Sequence, residues 1–94
     1  MAALDLLGRR WALRILWELH EQPLGFRELQ DVCDAMSSSV LRQRLVELEE
    51  SGLVRRTADG RNALTALGRD LGRAIDPLTA WANRWQRSLD RHDR

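Results

Sequence analysis

Ser37, Ser38, Ser39, Arg42 and Gln43 fall together in the stretch MSSSVLRQRLVELEESGL, Met36 to Leu53, and their types suit one chemistry. Hydroxyl and guanidinium groups donate to anionic oxygens, and at a helix start the unpaired backbone N–H groups add to them. Within a DNA major groove, Arg matches the guanine edge and Gln the adenine edge. Arg55, Arg56 and Arg61 follow closely, set against the single acid Asp59, as a phosphate-gripping surface requires. A solvated amphipathic helix followed by a solvated hairpin would use the same residue types. The elements that carry these residues therefore bear on the choice.

Ser37 is the best-placed N-cap, because Met36 before it can then pack on Leu41 as a hydrophobic staple. Leu41, Leu45 and Leu48 repeat at i, i+4, i+7, and Gly52 ends the pattern as a C′ residue does, so a one-sided helix is predicted over Ser37 to Ser51. Ser39, Arg42, Gln43 and Val46 project from the opposite side. The charges run against the helix dipole, which favours acids early and bases late. Here Arg42 and Arg44 come first and Glu47, Glu49 and Glu50 last. That order suits a helix offering its N-terminal half to an anion.

Before it, GRRWALRILWELHE predicts a long helix from Gly8 to Glu21, with Trp11, Ala12, Ile15, Leu16 and Leu19 on one broad face and Leu13 and Trp17 on a second. Pro23 and Gly25 break it around a short extended piece near Leu24. A second helix spans Phe26 to Asp34 with Phe26, Leu29, Val32 and Cys33 inward. A tight connection then leads into the serine-led helix, giving a helix-turn-helix. Beyond Gly52, Leu53 to Thr57 and Arg61 to Leu64 predict two strands joined through Ala58-Asp59-Gly60. Thr65 caps a helix to about Ile75, and Asp76-Pro77 restarts or kinks it. Leu78, Trp81, Ala82, Trp85 and Leu89 form a near-heptad stripe of the kind that meets another helix. The charged tail, Asp90 to Arg94, is expected to fray.

Ninety-four residues with 44% hydrophobic and 31% charged content make one water-soluble domain, 1–94. No apolar run approaches the roughly 18 residues of a membrane span, and the N-terminal stretch lacks a signal-peptide core, so a cytoplasmic location is expected. The net charge of +1 carries no global signal for nucleic acid, and local distribution must supply it. The lone Cys33 cannot form an intramolecular disulfide; it is expected to be a buried, inert thiol, since no basic residue adjoins it in sequence. Phosphate-loop, HExxH, GxSxG and paired-Cys patterns are absent, and Glu49 and Glu50 point about 100° apart on a helix. The sequence predicts neither an enzyme nor a cofactor or metal site.

GRRWALRILWEL, GFRELQDVCDAMSSSVLRQRLVELEESGLVRR and LTALGRDL together resemble the HxlR-type winged-helix transcriptional regulators, relatives of the MarR group. The resemblance covers most of the chain. It is most specific at Trp11 with Ile15-Leu16, at Phe26-Arg27-Glu28-Leu29, at Leu41 through Val54, and at Leu64-Thr65 with Gly68. It implies a homodimer that binds DNA through the Ser37 to Ser51 helix and the wing, with terminal helices making the dimer contact. Two departures accompany it. The wing is short, and the chain starts almost directly at the Trp11 helix, without the segment in which redox-sensing members carry their cysteine. Thiol or quinone sensing is thus not carried over to Cys33.

The fold expected is mainly α with a small β-hairpin wing, a winged helix-turn-helix. Its function is expected to be sequence-specific binding of double-stranded DNA by a homodimeric transcriptional regulator. Ser37, Ser38, Ser39, Arg42, Gln43, Arg55, Arg56 and Arg61 are the expected DNA contacts. Leu13, Trp17, Leu78, Trp81, Trp85 and Leu89 exceed what the core needs and are assigned to the dimer interface. The rival from another class is a winged-helix module for protein contact, which Val46 on the outer face favours. A third reading adds a small-molecule effector in an aromatic pocket between the first and last helices.

Overall fold

The computed structural model describes residues 2–92. Five helices and two strands follow in the order α1 (Ala2–Leu7), α2 (Ala12–Glu18), α3 (Phe26–Val32), α4 (Ser38–Glu50), β1 (Val54–Arg56), β2 (Asn62–Leu64) and α5 (Ala66–His92). The predicted Gly8 to Glu21 helix is therefore shortened to α2, Ala12–Glu18, and a separate helix, α1, precedes it. The break has a local cause: Trp11 sits in the left-handed region at φ 78°, where a helix cannot run. Leu6 and Leu7 of α1 still pack against the core. As predicted, α2 buries Ala12, Ile15 and Leu16, with Leu19 beside them.

α3 buries Leu29 and ends on Cys33, also fully buried. Val32 was expected inward but is 40% exposed. It lies about 60° to the side of Leu29 on an ideal helix, beyond the arc shared by Phe26, Leu29 and Cys33. The turn into α4 uses two left-handed residues, Asp34 and Ala35, at φ 59° and 54°. Met36 then enters the same buried core as Leu41. Ser37 caps α4 by accepting from the Val40 N–H at 3.4 Å. At the other end Gly52, at φ 80°, closes a Schellman motif: its N–H donates to the Glu49 carbonyl and that of Leu53 to the Leu48 carbonyl. The one-sided helix is thus obtained, with Leu41, Leu45 and Leu48 buried.

β1 and β2 pair antiparallel, with Val54 opposite Leu64, Arg55 opposite Ala63 and Arg56 opposite Asn62. Gly60 takes the left-handed position at φ 86°, so the tip is a tight turn closed by its N–H on the Thr57 carbonyl. Leu24 supplies the predicted extended piece, bridging Asn62 through a reciprocal backbone pair at 2.9 and 2.8 Å. Asn62 is buried there, and its Nδ2 donates to the same Leu24 carbonyl.

Thr65 caps α5, accepting from the Gly68 N–H at 3.1 Å while its hydroxyl donates to the Gly52 carbonyl at 2.6 Å. Gly68 lets α5 approach the wing: a Cβ there would lie 2.3 Å from the Leu53 carbonyl oxygen. Helix α5 then continues for 27 residues with Pro77 inside it, rather than restarting at Asp76-Pro77. Proline removes one N–H donor from the helix ladder, a loss this long helix absorbs. The helical course also includes Asp90 to His92, expected to fray; Asp93 and Arg94 lie outside the described residues. At about 1.5 Å per residue α5 is some 40 Å long. It accounts for the elongated outline of 50 × 27 × 25 Å. No described helix is long and apolar enough to cross a membrane.

Candidate nucleic-acid interface

The leucines of α4 face the core, which turns Ser39, Arg42, Gln43 and Val46 outward, all of them exposed. Ser37, Ser38 and Ser39 lie exposed at its start, the Ser37 and Ser39 hydroxyls bonded at 2.9 Å. The Arg42 guanidinium carbon lies over the Phe26 ring, 5.3 Å from its centroid. Among the described residues Arg42 makes no ion pair.

Arg44 behaves differently and corrects the expectation that both early arginines face an anion. Its side chain is only 16% exposed. Its Nε donates to the Arg10 carbonyl at 2.9 Å and another guanidinium nitrogen to Glu47 at 2.6 Å. Arg9 approaches the same carboxylate at 3.3 Å. Burial pushes the Glu47 carboxyl up, but the hydrogen bond and charge of Arg44, helped by Arg9, outweigh it and hold the group below its ordinary value. Two of the three acids that run against the helix dipole, Glu47 and Glu49, are therefore explained by their partners. Glu47 anchors the α1–α2 loop, and Glu49 faces Arg56 of the wing at 3.9 Å.

The wing exposes Arg55, Arg56 and Arg61, and β-strand alternation sends Arg55 and Arg56 to opposite faces. Arg61 is turned onto the tip, its Nε 2.9 Å from Asp59. A hydrogen bond from Thr57, aided by the Arg61 charge and opposed by partial desolvation, holds the Asp59 carboxyl below its ordinary value. Arg55 has no side-chain hydrogen bond or ion pair among the described residues, so the three guanidiniums are not equivalent. The sequence signal missed Phe26 as a platform for Arg42 and the structural role of Arg44. Both contacts join different elements, and helix periodicity contains no information about them.

The residues assigned to the dimer interface lie on α2 and α5. Leu13, Trp17, Leu78, Trp81, Trp85 and Leu89 are all exposed, with Trp81 and Trp85 stacked at 5.7 Å and 22°. A cleft of about 580 Å³ separates α2 from α5. Leu13, Leu16, Trp17, Leu71, Ile75 and Leu78 form its apolar walls, and Arg14, His20, Arg69, Arg73 and Asp76 also line it. Cys33 is remote from solvent, and burial pushes its thiol up. Arg14 opposes that effect, a basic neighbour that local sequence did not reveal, and Glu18 and Asp34 reinforce the rise.

The family profile for the HxlR-like helix-turn-helix matches residues 6–90. The chain belongs to that family. HxlR-like relatives include the HTH-type transcriptional regulator YvaP of Bacillus subtilis, 30% identical over 89 residues that make up 88% of this chain and 82% of that one. YodB, an HTH-type transcriptional regulator of the same organism, is 30% identical over 89% of this chain and 80% of its own. The crystal structure of quinone-bound YodB superposes with a TM-score of 0.82 at 32% identity, covering 88% of this chain and 93% of that one. A MarR-family transcriptional regulator from Enterococcus faecalis gives 0.83 at 28% identity, covering 96% and 87%. The chain thus has the winged helix-turn-helix fold, in common with these two regulators.

Proposed function

We propose that this HxlR-like chain is a homodimeric transcriptional regulator that binds a specific DNA sequence by placing α4 in the major groove. The observation that carries the proposal is the outer face of α4: Ser39, Arg42 and Gln43 are exposed together while Leu41, Leu45 and Leu48 are buried behind them. In this arrangement Arg42 and Gln43 read base edges. Ser37, Ser38 and Ser39 bind phosphate at the helix start, and Arg55, Arg56 and Arg61 supply backbone contacts from the wing. Leu13, Trp17, Leu78, Trp81, Trp85 and Leu89 pair the protomers, so that one winged unit carries its own dimerisation helices. Relatives bearing the name of transcriptional regulator support the reading.

Sequencing the DNA fragments that the protein retains from its own genome tests it. A shared, two-fold related sequence motif is expected. Retention without any common sequence, or no retention at low salt, would favour instead a winged-helix module whose Arg42, Gln43 and Val46 contact another protein.

The cleft between α2 and α5 favours a second element of the same reading, a small-molecule effector. Its size lies within the range of ligand pockets, about 300 to 1,000 Å³, and its walls are mainly apolar with a few polar groups. A ligand seated there would touch α2 of the core and α5 at once, and so bear on how the two reading helices are spaced.

A further inference from the structure

Arg42 is held in a way that differs from the other basic residues of the DNA-facing side. Arg44 spends its N–H groups on the Arg10 carbonyl and Glu47, Arg61 is paired with Asp59, and Arg56 faces Glu49. Arg42 instead lies over an aromatic ring. A cation–π contact engages the positive centre and the face of the guanidinium, whereas the hydrogen bonds to a guanine edge leave through N–H groups in its plane. The ring can therefore fix the side chain without consuming the donors that would read a base.

The ring itself is fixed. Phe26, the sole phenylalanine of the chain, is the first residue of α3, half-buried and packed against the core. The turn that sets α3 is closed by the Glu28 carboxylate accepting from the Gly25 N–H at 2.9 Å. The platform thus belongs to the first helix of the helix-turn-helix and the side chain it supports to the second.

We infer that Phe26 is a positioning residue for sequence recognition: its ring pre-orients the Arg42 guanidinium for a base edge, so that specific rather than general DNA affinity depends on it. The inference rests on the proposed placement of α4 in the major groove. A flexible arginine loses rotamer freedom on binding, and holding it beforehand lowers that cost. An exposed cation–π contact corresponds to about a two- to fivefold effect on binding.

The test compares the duplex most enriched by the wild-type protein from a randomised library with a scrambled duplex of the same length and composition. Phe26→Leu is expected to lower affinity for the enriched duplex about two- to fivefold and to leave the scrambled duplex and the salt slope unchanged. Phe26→Trp restores the lost selectivity, and in an Arg42→Ala background Phe26→Leu has no further effect. Equal losses on both duplexes, or a loss that persists without Arg42, would make Phe26 merely structural and overturn the inference. In the free wild-type protein the Arg42 δ-methylene protons are expected upfield of those of other exposed arginines, shifted by the ring current. Ordinary shifts there overturn the inference even if Phe26→Leu fails to fold. A wild-type protein that enriches no sequence overturns the DNA reading and this inference together, whereas normal selectivity in Phe26→Leu overturns this inference alone.

Discussion

The Arg44 Nε donates to the Arg10 carbonyl at 2.9 Å, across 34 residues of sequence. The bond fastens α4, the proposed reading helix, to the loop in which Trp11 occupies the left-handed region, a conformation that costs a bulky residue about 1 to 3 kcal/mol. That conformation persists because its surroundings hold it: Arg44 grips one side of the loop, Arg9 reaches Glu47 on α4, and Trp11 itself packs on the core. The orientation of α4 is thereby tied to the α1–α2 loop and through it to α2, which carries Leu13 and Trp17 of the proposed dimer contact.

Arg44→Ala is accordingly a stability mutant and not a recognition mutant. Losing the bond to the Arg10 carbonyl and leaving Glu47 short of its partner should destabilise the fold by about 1 to 3 kcal/mol in urea unfolding. The folded fraction should keep its sequence preference. Loss of preference without loss of stability would place Arg44 on the DNA instead.

The same cluster sets a pH dependence. The Glu47 carboxyl is depressed in the folded chain, so its contribution to stability is fully present above its ordinary value of 4.5 and is lost as pH falls through the lower folded value. The depressed Asp59 carboxyl acts with the same sign below its ordinary 3.8. Glu47→Gln should therefore be less stable than the wild type at neutral pH and lose less stability on acidification through this range, because it has no proton to gain there. Circular dichroism across an acid titration measures the difference in steepness; identical profiles would show Glu47 to be uncoupled from folding.

Arg42→Ala should cost about 1 to 3 kcal/mol on the selected site and little elsewhere. Arg55→Ala should weaken all DNA alike and make the salt slope shallower by about one phosphate contact, more clearly than Arg56→Ala, whose side chain already faces Glu49. Binding curves at several salt concentrations separate the two behaviours. Unchanged affinity in all three variants would remove DNA from this surface.

Within-helix features were legible in the sequence and between-helix features were not. The cap at Ser37, the leucine stripe of α4, the stop at Gly52 and the cap at Thr65 depend on neighbours within a turn or two, and the structure has each of them. The break at Trp11 was missed because a left-handed φ at a tryptophan has no signature in residue type, and the Arg44 bond that holds the loop comes from far along the chain. Pro77 misled for the opposite reason: proline penalises a helix interior, but the length of α5 on either side outweighs one lost bond. At the proposed site, the outward placing of Ser39, Arg42 and Gln43 followed from helix periodicity, whereas the pairing of Arg61 with Asp59 and the stacking of Arg42 on Phe26 depend on how side chains and elements pack.

Two glycines of α5 should respond to alanine with opposite signs. Gly72 has open space around its missing Cβ, so Gly72→Ala should stabilise by about 0.5 to 1 kcal/mol through helix propensity. At Gly68 the new Cβ would sit 2.3 Å from the Leu53 carbonyl oxygen and 3.2 Å from Leu64 Cδ2, and backbone would have to move. Gly68→Ala should destabilise by about 1 to 3 kcal/mol despite the better propensity. Thermal melts of the two variants decide it, and stabilisation at both positions would mean that α5 does not press on the wing.

Cys33 is fully buried, and burial pushes its thiol up despite the nearby Arg14 charge. Alkylation of the folded protein should be slow, and Cys33→Ala should bind the selected duplex normally once its stability is allowed for. Rapid labelling, with peroxide-dependent DNA release abolished by Cys33→Ala, would make this thiol a sensor.

The proposed dimer rests on an excess of apolar surface that the described residues leave exposed. Trp81 and Trp85 are 51% and 55% exposed, stacked on each other along the free half of α5, with Leu78 and Leu89 exposed on the same helix. Each large side chain fully buried is worth about 1.5 to 3 kcal/mol, so several of them together offset the association cost, about 4 to 15 kcal/mol. A two-fold axis closes this surface on itself and sets two reading helices for half-sites about one DNA turn, some 34 to 36 Å, apart. The wild-type protein should therefore sediment as a dimer at micromolar concentration. Trp81→Ala combined with Trp85→Ala should give a monomer that loses tight binding to a palindromic site, while a single half-site is bound with little change because α4 and the wing are untouched. A wild-type monomer in sedimentation, or a double variant that remains dimeric, would remove these tryptophans from the interface.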